Sequence, residues 1–441
     1  MLNYSIERYH TFREKKMKFK TWTKVELLAS LGLFLSVLIF PAVGSAKDFQ
    51  KTPVKLQASE ILPKDLLSGS NYKVKEAVKN DGLVNTYELE TNYGSLAVES
   101  TALLLIRINE LRALQKMEQL KGTDVYSKAL LAAGSSPLRT AKGLVTAPVK
   151  TGGAIVTGFG KWFSDVGRSI VSDDPHQADV MKTALGHAAV KRLFAFNFGV
   201  DPYSNYEPLR KELDDIAWTA VTGGLTAKAA FMAIPGGAGA AVSAAGTAGG
   251  VKELVRDKSP DELEGIIEKK LKGMGVSVDL ARVFLRNKHF NPQEKTLLVG
   301  ALANMKGVKD RSIVITAAVT ADEEAVALYL RVRAQMMSHF SKSTPVKRFV
   351  EIRGTPFLLT KKGVIVGNAP LDHVLWTDRL SRTEKALSQA IEKMPGVKGK
   401  EIRFSGTVDP KALEALESRG WKVRDGLQDR LLKKLIGGTG K

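Results

Sequence analysis

Apolar residues recur every three or four positions between residues 97 and 120: Leu104, Ile108, Leu111, Leu114 and Met117. That period places them on one face of a helix. Arg107 and Glu110, three apart on the same helix, are spaced to pair. Upstream, Tyr87, Leu89 and Thr91 alternate with polar neighbours. This predicts a small hairpin over 72–78 and 83–93, turning at Asn80-Asp81-Gly82 and ending at Gly94. Ile155, Phe159, Trp162, Val166 and Ile170 again sit at helical spacing, with Phe163 beside them. Gly153, Gly160 and Gly167, seven apart, form a narrow stripe next to that aromatic face, while Lys161 and Arg168 lie opposite. An interfacial helix has this form, and so does a soluble helix turning an aromatic face to a core.

Helical text continues over 177–198 and, after the turn at 199–205, opens again near Pro208. Ala229 to Val251 carries no charge, holds six glycines and contains Pro235. It is long enough to span a bilayer, and small residues favour close helix packing in lipid. Alanine and glycine gain little on leaving water, so two short packed helices or a glycine-rich loop fit as well. Residues 251–340 read as helices opened by Ser259-Pro260-Asp261-Glu262, Asn291-Pro292 and Thr320–Glu324, with Ala325, Tyr329, Val332, Met336 and Phe340 as the last core face.

After Ser343 the period shortens. Residues 348–352, 356–359 and 364–366 read as strands, the last two flanking Lys361-Lys362-Gly363. A helix over 382–393, a strand over 401–404, a helix over 410–419 and a strand over 421–423 follow. The expected fold is α+β and predominantly helical, with a small N-terminal β-hairpin, a glycine-rich middle and a small mixed α/β C-terminal domain. The expected segments are 1–46, 47–122, 123–257, 258–342 and 343–441.

The first segment changes the picture. Arg13, Lys15, Lys16, Lys18, Lys20 and Lys24 precede an uncharged run from Leu27 to Phe40, then Pro41 and the small residues Ala42, Gly44, Ser45 and Ala46. Basic region, short apolar region and small-residue exit are the parts of a secretory signal peptide. The run is short for a spanning helix, which needs about 20 residues. Cleavage after Ala46 is expected, with translation starting at Met17; an uncleaved anchor is the alternative. The whole chain is formally +20, and without residues 1–46, which hold seven basic and three acidic residues, it is +16. Scattered lysines make this a solvated basic surface suited to anionic lipid or an acidic envelope partner, and no nucleic acid is expected.

The chain has no cysteine, which excludes disulfides, thiolate metal sites and a Cys nucleophile. The six histidines show no metal-ligand spacing such as HExxH. No metal or cofactor is expected. Gly158-Phe159-Gly160-Lys161-Trp162 fails as a phosphate loop, because Trp162 stands where a magnesium-binding hydroxyl belongs. Gly237–Val242 lacks the last glycine of a dinucleotide fingerprint. No G-x-S-x-G elbow exists. Asp372 and His373 are the best remaining catalytic candidates, for a hydrolase that uses no metal.

The turn Gly199-Val200-Asp201-Pro202-Tyr203-Ser204-Asn205, the segment Phe404-Ser405-Gly406-Thr407-Val408 and the ending Leu413–Trp421 resemble exported bacterial proteins of unknown function. The resemblance covers about a quarter of the chain. It implies a cell-envelope location and no activity. The expected role is a non-enzymatic binding or structural protein of the envelope, contacting anionic lipid or another envelope protein through Ile155, Phe159, Trp162, Phe163, Val166 and Ile170. The alternative is a metal-independent hydrolase of an envelope polymer.

Overall fold

The computed structural model describes residues 49–134, 175–226, 229–230, 233 and 247–427. Six strands open the chain: β1 (Val54–Gln57), β2 (Ser68–Gly69), β3 (Tyr72–Val74), β4 (Ala77–Asn80), β5 (Asn85–Thr91) and β6 (Gly94–Glu99). Two single-turn helices, α1 (Ala58–Ile61) and α2 (Lys64–Leu67), interrupt them. The order is β1-β4-β5-β3-β2, with β6 on the other side of β5. One edge of β5 is shared: its start pairs with β4 and its end with β3. All these pairings are antiparallel, and the sheet curls into a half-barrel.

The expectation of a predominantly helical chain with a small hairpin is overturned. The described structure is 53% helix and 20% strand, with two large sheets. The hairpin at residues 81–84 exists, but within a six-stranded sheet. Strands of two to seven residues carry too few alternations to register as period two. Gly94, at φ 104°, turns the chain back. Residues 94–99 then pair with β5 instead of opening the following helix.

That helix, α3 (Thr101–Lys121), lies against the curled sheet. Its stripe of Leu104, Ile108, Leu111, Leu114 and Met117 is fully buried with Tyr72, Val74, Tyr87 and Leu89 of the sheet. Helices α4 (Asp124–Gly134), α5 (Pro175–Phe198) and α6 (Glu207–Gly223) complete this core through Tyr126, Phe194, Leu213 and Ile216. α7 (Thr247–Asp257), α8 (Pro260–Gly273), α9 (Val278–Leu285), α10 (Pro292–Ala303), α11 (Ser312–Ala318) and α12 (Glu324–Ser343) follow. Ser259 and Glu262 form a reciprocal capping box on α8, and the Asn291 side chain caps α10. Both starts stand where the sequence places them.

The second sheet contains β7 (Val346–Ile352), β8 (Thr355–Thr360), β9 (Val364–Ala369), β11 (Gly399–Phe404) and β13 (Trp421–Arg424), in the order β13-β11-β9-β8-β7. β7, β8 and β9 form an antiparallel meander, while β9, β11 and β13 run parallel. α13 (Asp378–Glu392) and α14 (Pro410–Glu417) make the crossovers. A separate parallel pair, β10 (His373–Val374) and β12 (Thr407–Val408), lies beside them. The C-terminal part is therefore a full five-stranded layer, and its core also takes in helices α8 to α12.

Several contacts join the halves, two of them through the sheet and the long helices. Leu328, Val332 and Met336 of α12 pack on Ala102, Leu103 and Ile106 of α3. The 81–84 turn of the first sheet is stitched to residues 372–375: the amides of Asp372 and Leu375 donate to the carbonyls of Leu83 and Gly82 at 3.0 and 2.9 Å. Among the described residues no helix is long and apolar enough to cross a membrane. Residues 1–46, the aromatic face at 153–171 and most of 229–251 lie outside the described residues.

Candidate functional site

A cavity of about 300 Å3 opens beside the α3–α12 seam, at the small end of the range for ligand pockets. Its main walls are α3, the turn 199–205, the start of α10, and α12. Each contributes a charged side chain to the wall.

From α3 come Arg107 and Glu110, both buried, paired at 2.7 Å as their spacing predicts. The turn is built around Asp201. Gly199, at φ 72°, closes α5 in the left-handed conformation that glycine adopts without strain. Asp201 Oδ1 then accepts the Tyr203 amide at 2.8 Å, an Asx turn. This geometry projects Ser204 and Asn205 back to α3. Ser204 Oγ donates to Glu110 Oε1 at 2.5 Å, and Arg107 Nη2 donates to Asn205 Oδ1 at 2.9 Å. Asn205 in turn donates to Glu324 Oε2 at 2.5 Å, at the start of α12.

The other wall repeats the device. Asn291 caps α10 by accepting the Glu294 amide through Oδ1, which turns its Nδ2 to Asp201 Oδ2 at 2.9 Å. Arg331 of α12 is buried and donates from Nε to Glu294 Oε2 at 2.7 Å. Lys252, Lys288 and His289 also line the cavity, and Leu103, Ile106, Leu297, Leu328 and Val332 supply its apolar side.

Burial governs the electrostatics. It raises the Glu110 carboxyl above the ordinary carboxylate range, against the pull of Arg107. It raises Asp201 to about 7, helped by the nearby charges of Glu294 and Glu110 and opposed by the Tyr203 amide and Asn291. Burial also lowers Lys252. A carboxyl that holds a proton near neutral pH, as Asp201 does, can donate as well as accept, which is the property acid–base sites use. A buried network of this kind also fixes how its segments dock.

Asp372 and His373 stand elsewhere and do not line this cavity. Asp372 is buried, and both its oxygens are engaged: Oδ2 accepts the Asn85 amide at 2.9 Å and Oδ1 the Thr101 amide at 3.0 Å. His373 is half-buried, with Nδ1 2.7 Å from Thr407 Oγ1, and burial lowers its imidazole. The two are neighbours in sequence but serve different contacts. Ile155, Phe159, Trp162, Phe163, Val166 and Ile170 lie outside the described residues. Among the described residues no cluster of three or more His, Cys, Asp or Glu side chains is placed to hold a metal ion.

The sequence reading missed Asp201, Ser204, Asn205, Glu294 and Arg331 as site residues. The signal available was charge on buried faces: Arg331 sits beside Val332 in the core face of α12, and Arg107 and Glu110 beside the α3 stripe. Compared with protein-family models, with curated proteins and with solved structures, the chain matches none.

Proposed function

We propose that this chain is a non-enzymatic binding protein of the cell envelope, exported by residues 1–46, that holds a small polar molecule in the α3–α12 cavity. The observation that carries the reading is the cavity itself, with charged side chains built into its walls rather than excluded from them. Its acidic groups, Glu110, Asp201, Glu294 and Glu324, equal in number the basic Arg107, Lys252, Lys288 and Arg331. Mixed charge, with Glu110 and Asp201 holding their protons more tightly and Lys252 less tightly than usual, favours a neutral or zwitterionic ligand that both donates and accepts hydrogen bonds, with a small apolar part against Leu328 and Val332. The test is native mass spectrometry of the chain purified from an envelope fraction, beside Leu103→Trp, which fills the cavity. A small molecule retained by the wild type and lost from the variant supports the reading. A wild type that is empty, and binds none of a panel of envelope sugars and amino acids, counts against it.

The basic surface supports a second part of the proposal, contact with anionic lipid or an acidic envelope protein. Flotation with anionic vesicles that vanishes at high salt is the expected result, because charge alone would hold the complex. Flotation that survives high salt would instead point to apolar insertion through the face around Trp162.

One observation favours an enzymatic alternative. Two carboxyls of raised proton affinity, Glu110 and Asp201, line one cavity with Ser204 Oγ against the first. A metal-independent hydrolase of an envelope polymer would draw on these residues. Polymer release by the wild type and not by Glu110→Gln would select the enzyme over the binder.

A further inference from the structure

A buried cation with no anion to meet it faces the second sheet. Arg333 of α12 is 5% exposed. Its Nη2 donates to the Pro356 carbonyl at 2.7 Å, and its guanidinium carbon lies 5.9 and 5.8 Å from the ring centres of Tyr329 and Phe357. Those ring distances are at the limit of a useful cation–π contact. Among the described residues no carboxylate lies within ion-pair distance of it. Arg331, one helical half-turn away, has Glu294 at 2.7 Å, so the same helix shows what a compensated arginine looks like. An uncompensated buried charge costs several kcal/mol, and a backbone oxygen with the neutral Tyr329 hydroxyl, which hydrogen-bonds the guanidinium, offsets it poorly.

Two donors on one side of Arg333 are also unused. Its Nε has no partner, and neither has Thr355 Oγ1, on a residue only 3% exposed at the start of β8. Arg333 and Thr355 line the same cavity, of about 50 Å3, between the sheet and helices α12 and α13. The rest of that wall is mainly apolar, with Phe357, Ala369, Leu387 and Ile402. Gly367 helps shape it: a Cβ there would fall 2.5 Å from Ile402 Cδ1 and 2.8 Å from the Phe357 ring.

One acid shares the wall, and it is occupied. Glu384 accepts from Trp421 Nε1 at 2.9 Å and Ser388 Oγ at 2.5 Å, and pairs with Arg419 at 3.2 Å and Lys400 at 3.7 Å. Two cations therefore already share this one carboxylate, and with Arg333 on the same wall the local surplus is positive. Water can fill a polar cavity of this size and satisfy the two donors. It cannot neutralise the guanidinium.

We propose that Arg333 and Thr355 bind the carboxylate of a short-chain monocarboxylic acid, whose alkyl part packs on Phe357 and Ile402. The site is separate from the α3–α12 cavity and does not depend on what occupies that cavity. An arginine fork and a hydroxyl match the two oxygens of a carboxylate, and the apolar wall suits a tail of a few carbons.

The experiment is calorimetric titration of the full chain with sodium butyrate, in a zwitterionic buffer without other small anions. Butan-1-ol and inorganic phosphate are the competing probes. Saturable one-site binding of butyrate is expected, with a raised Tm. Binding should weaken about tenfold in Thr355→Val and vanish in Arg333→Met, while neither competitor displaces the acid. Absence of saturable binding overturns the proposal and leaves water as the occupant. Equal binding by Thr355→Val overturns it, and decides the matter even where Arg333→Met fails to fold. Displacement by butan-1-ol would show an apolar cavity only, and displacement by phosphate an unspecific anion site; either also overturns it.

Discussion

The Asp372 carboxylate caps the long helix of the other sheet's core: its Oδ1 accepts the backbone amide of Thr101, the first residue of α3, at 3.0 Å. The opposite oxygen holds the Asn85 amide, and Tyr87 Oη lies 2.7 Å from Thr101 Oγ1. Between them Ser100 sits at φ 72° and ψ 145°, a region that suits glycine and strains any other residue. The joint compensates by supplying every polar group with a partner. Asp372→Ala would leave two buried amides unpaired, and is expected to cost about 2–4 kcal/mol. Chemical denaturation reads this directly. A loss below about 0.5 kcal/mol would mean that the joint does not hold the halves together.

The same carboxyl makes stability depend on pH. Burial raises Asp372 from 3.8 to about 6, and Asp201 from 3.8 to about 7. A raised folded pKa means that the native state binds protons more tightly than the unfolded chain, so stability falls as pH rises from about 4 through 6 and 7. Glu110, also raised, acts with the same sign. Glu262, lowered chiefly by its hydrogen bond to Lys258, acts with the opposite sign, in a window below the ordinary glutamate pKa. Burial lowers His187 and His373, and these oppose the carboxyls within the same window. The three raised carboxyls outnumber the two imidazoles, so denaturation midpoints should favour pH 5 over pH 7.5. Asp201→Asn should move that balance toward pH 7.5. An unchanged pH dependence in the variant would show that Asp201 ionises normally.

Arg331 and Glu294 offer a cleaner measure of the cavity wall. Their side chains are 4% and 14% exposed, so little solvent screens the pair. Arg331→Ala would strand Glu294 and is expected to cost about 3–5 kcal/mol. Replacing both, as Arg331→Met with Glu294→Leu, should recover most of that loss, because the penalty belongs to the stranded charge. A double mutant as unstable as the single would mean that packing, not charge, is lost.

What could be read from the sequence follows from distance along the chain. The α3 stripe, the turn at Asn80-Asp81-Gly82 and the Ser259 cap involve residues a few positions apart, and local periodicity or capping chemistry reveals them. β6 was hidden because Gly94–Glu99 pairs only with β5, and two alternations of small residues look like the opening of a helix. The cavity was hidden more deeply. Arg107 and Glu110 could be seen to pair, but Asn205 and Glu324 are 119 residues apart and meet only once both cores form. The turn 199–205 forms part of the cavity wall, which no local periodicity reveals. Asp372 and His373 stood out as a dipeptide, yet a strand sends successive side chains to opposite faces.

Gly406 is a position where one methyl group should matter. A Cβ there would lie 1.8 Å from the Asp372 carbonyl oxygen. Neither strand can easily step back. The Gly406 amide donates to the Leu371 carbonyl at 2.8 Å, the Thr407 amide donates to that same Asp372 oxygen at 3.0 Å, and the Gly426 amide donates to the Gly406 carbonyl at 2.7 Å. Gly406→Ala must therefore break part of the β10–β12 pairing, at an expected cost of about 3 kcal/mol. Gly399→Ala, at the start of β11 with open space around it, is the control and should melt like the wild type. The strain should also travel. Asp372 carries the carboxylate that caps α3, so hydrogen exchange at the Thr101 and Asn85 amides should quicken in Gly406→Ala. Faster exchange there, with α8 unchanged, would trace the coupling through Asp372; unchanged exchange at both amides would confine the damage to β10 and β12.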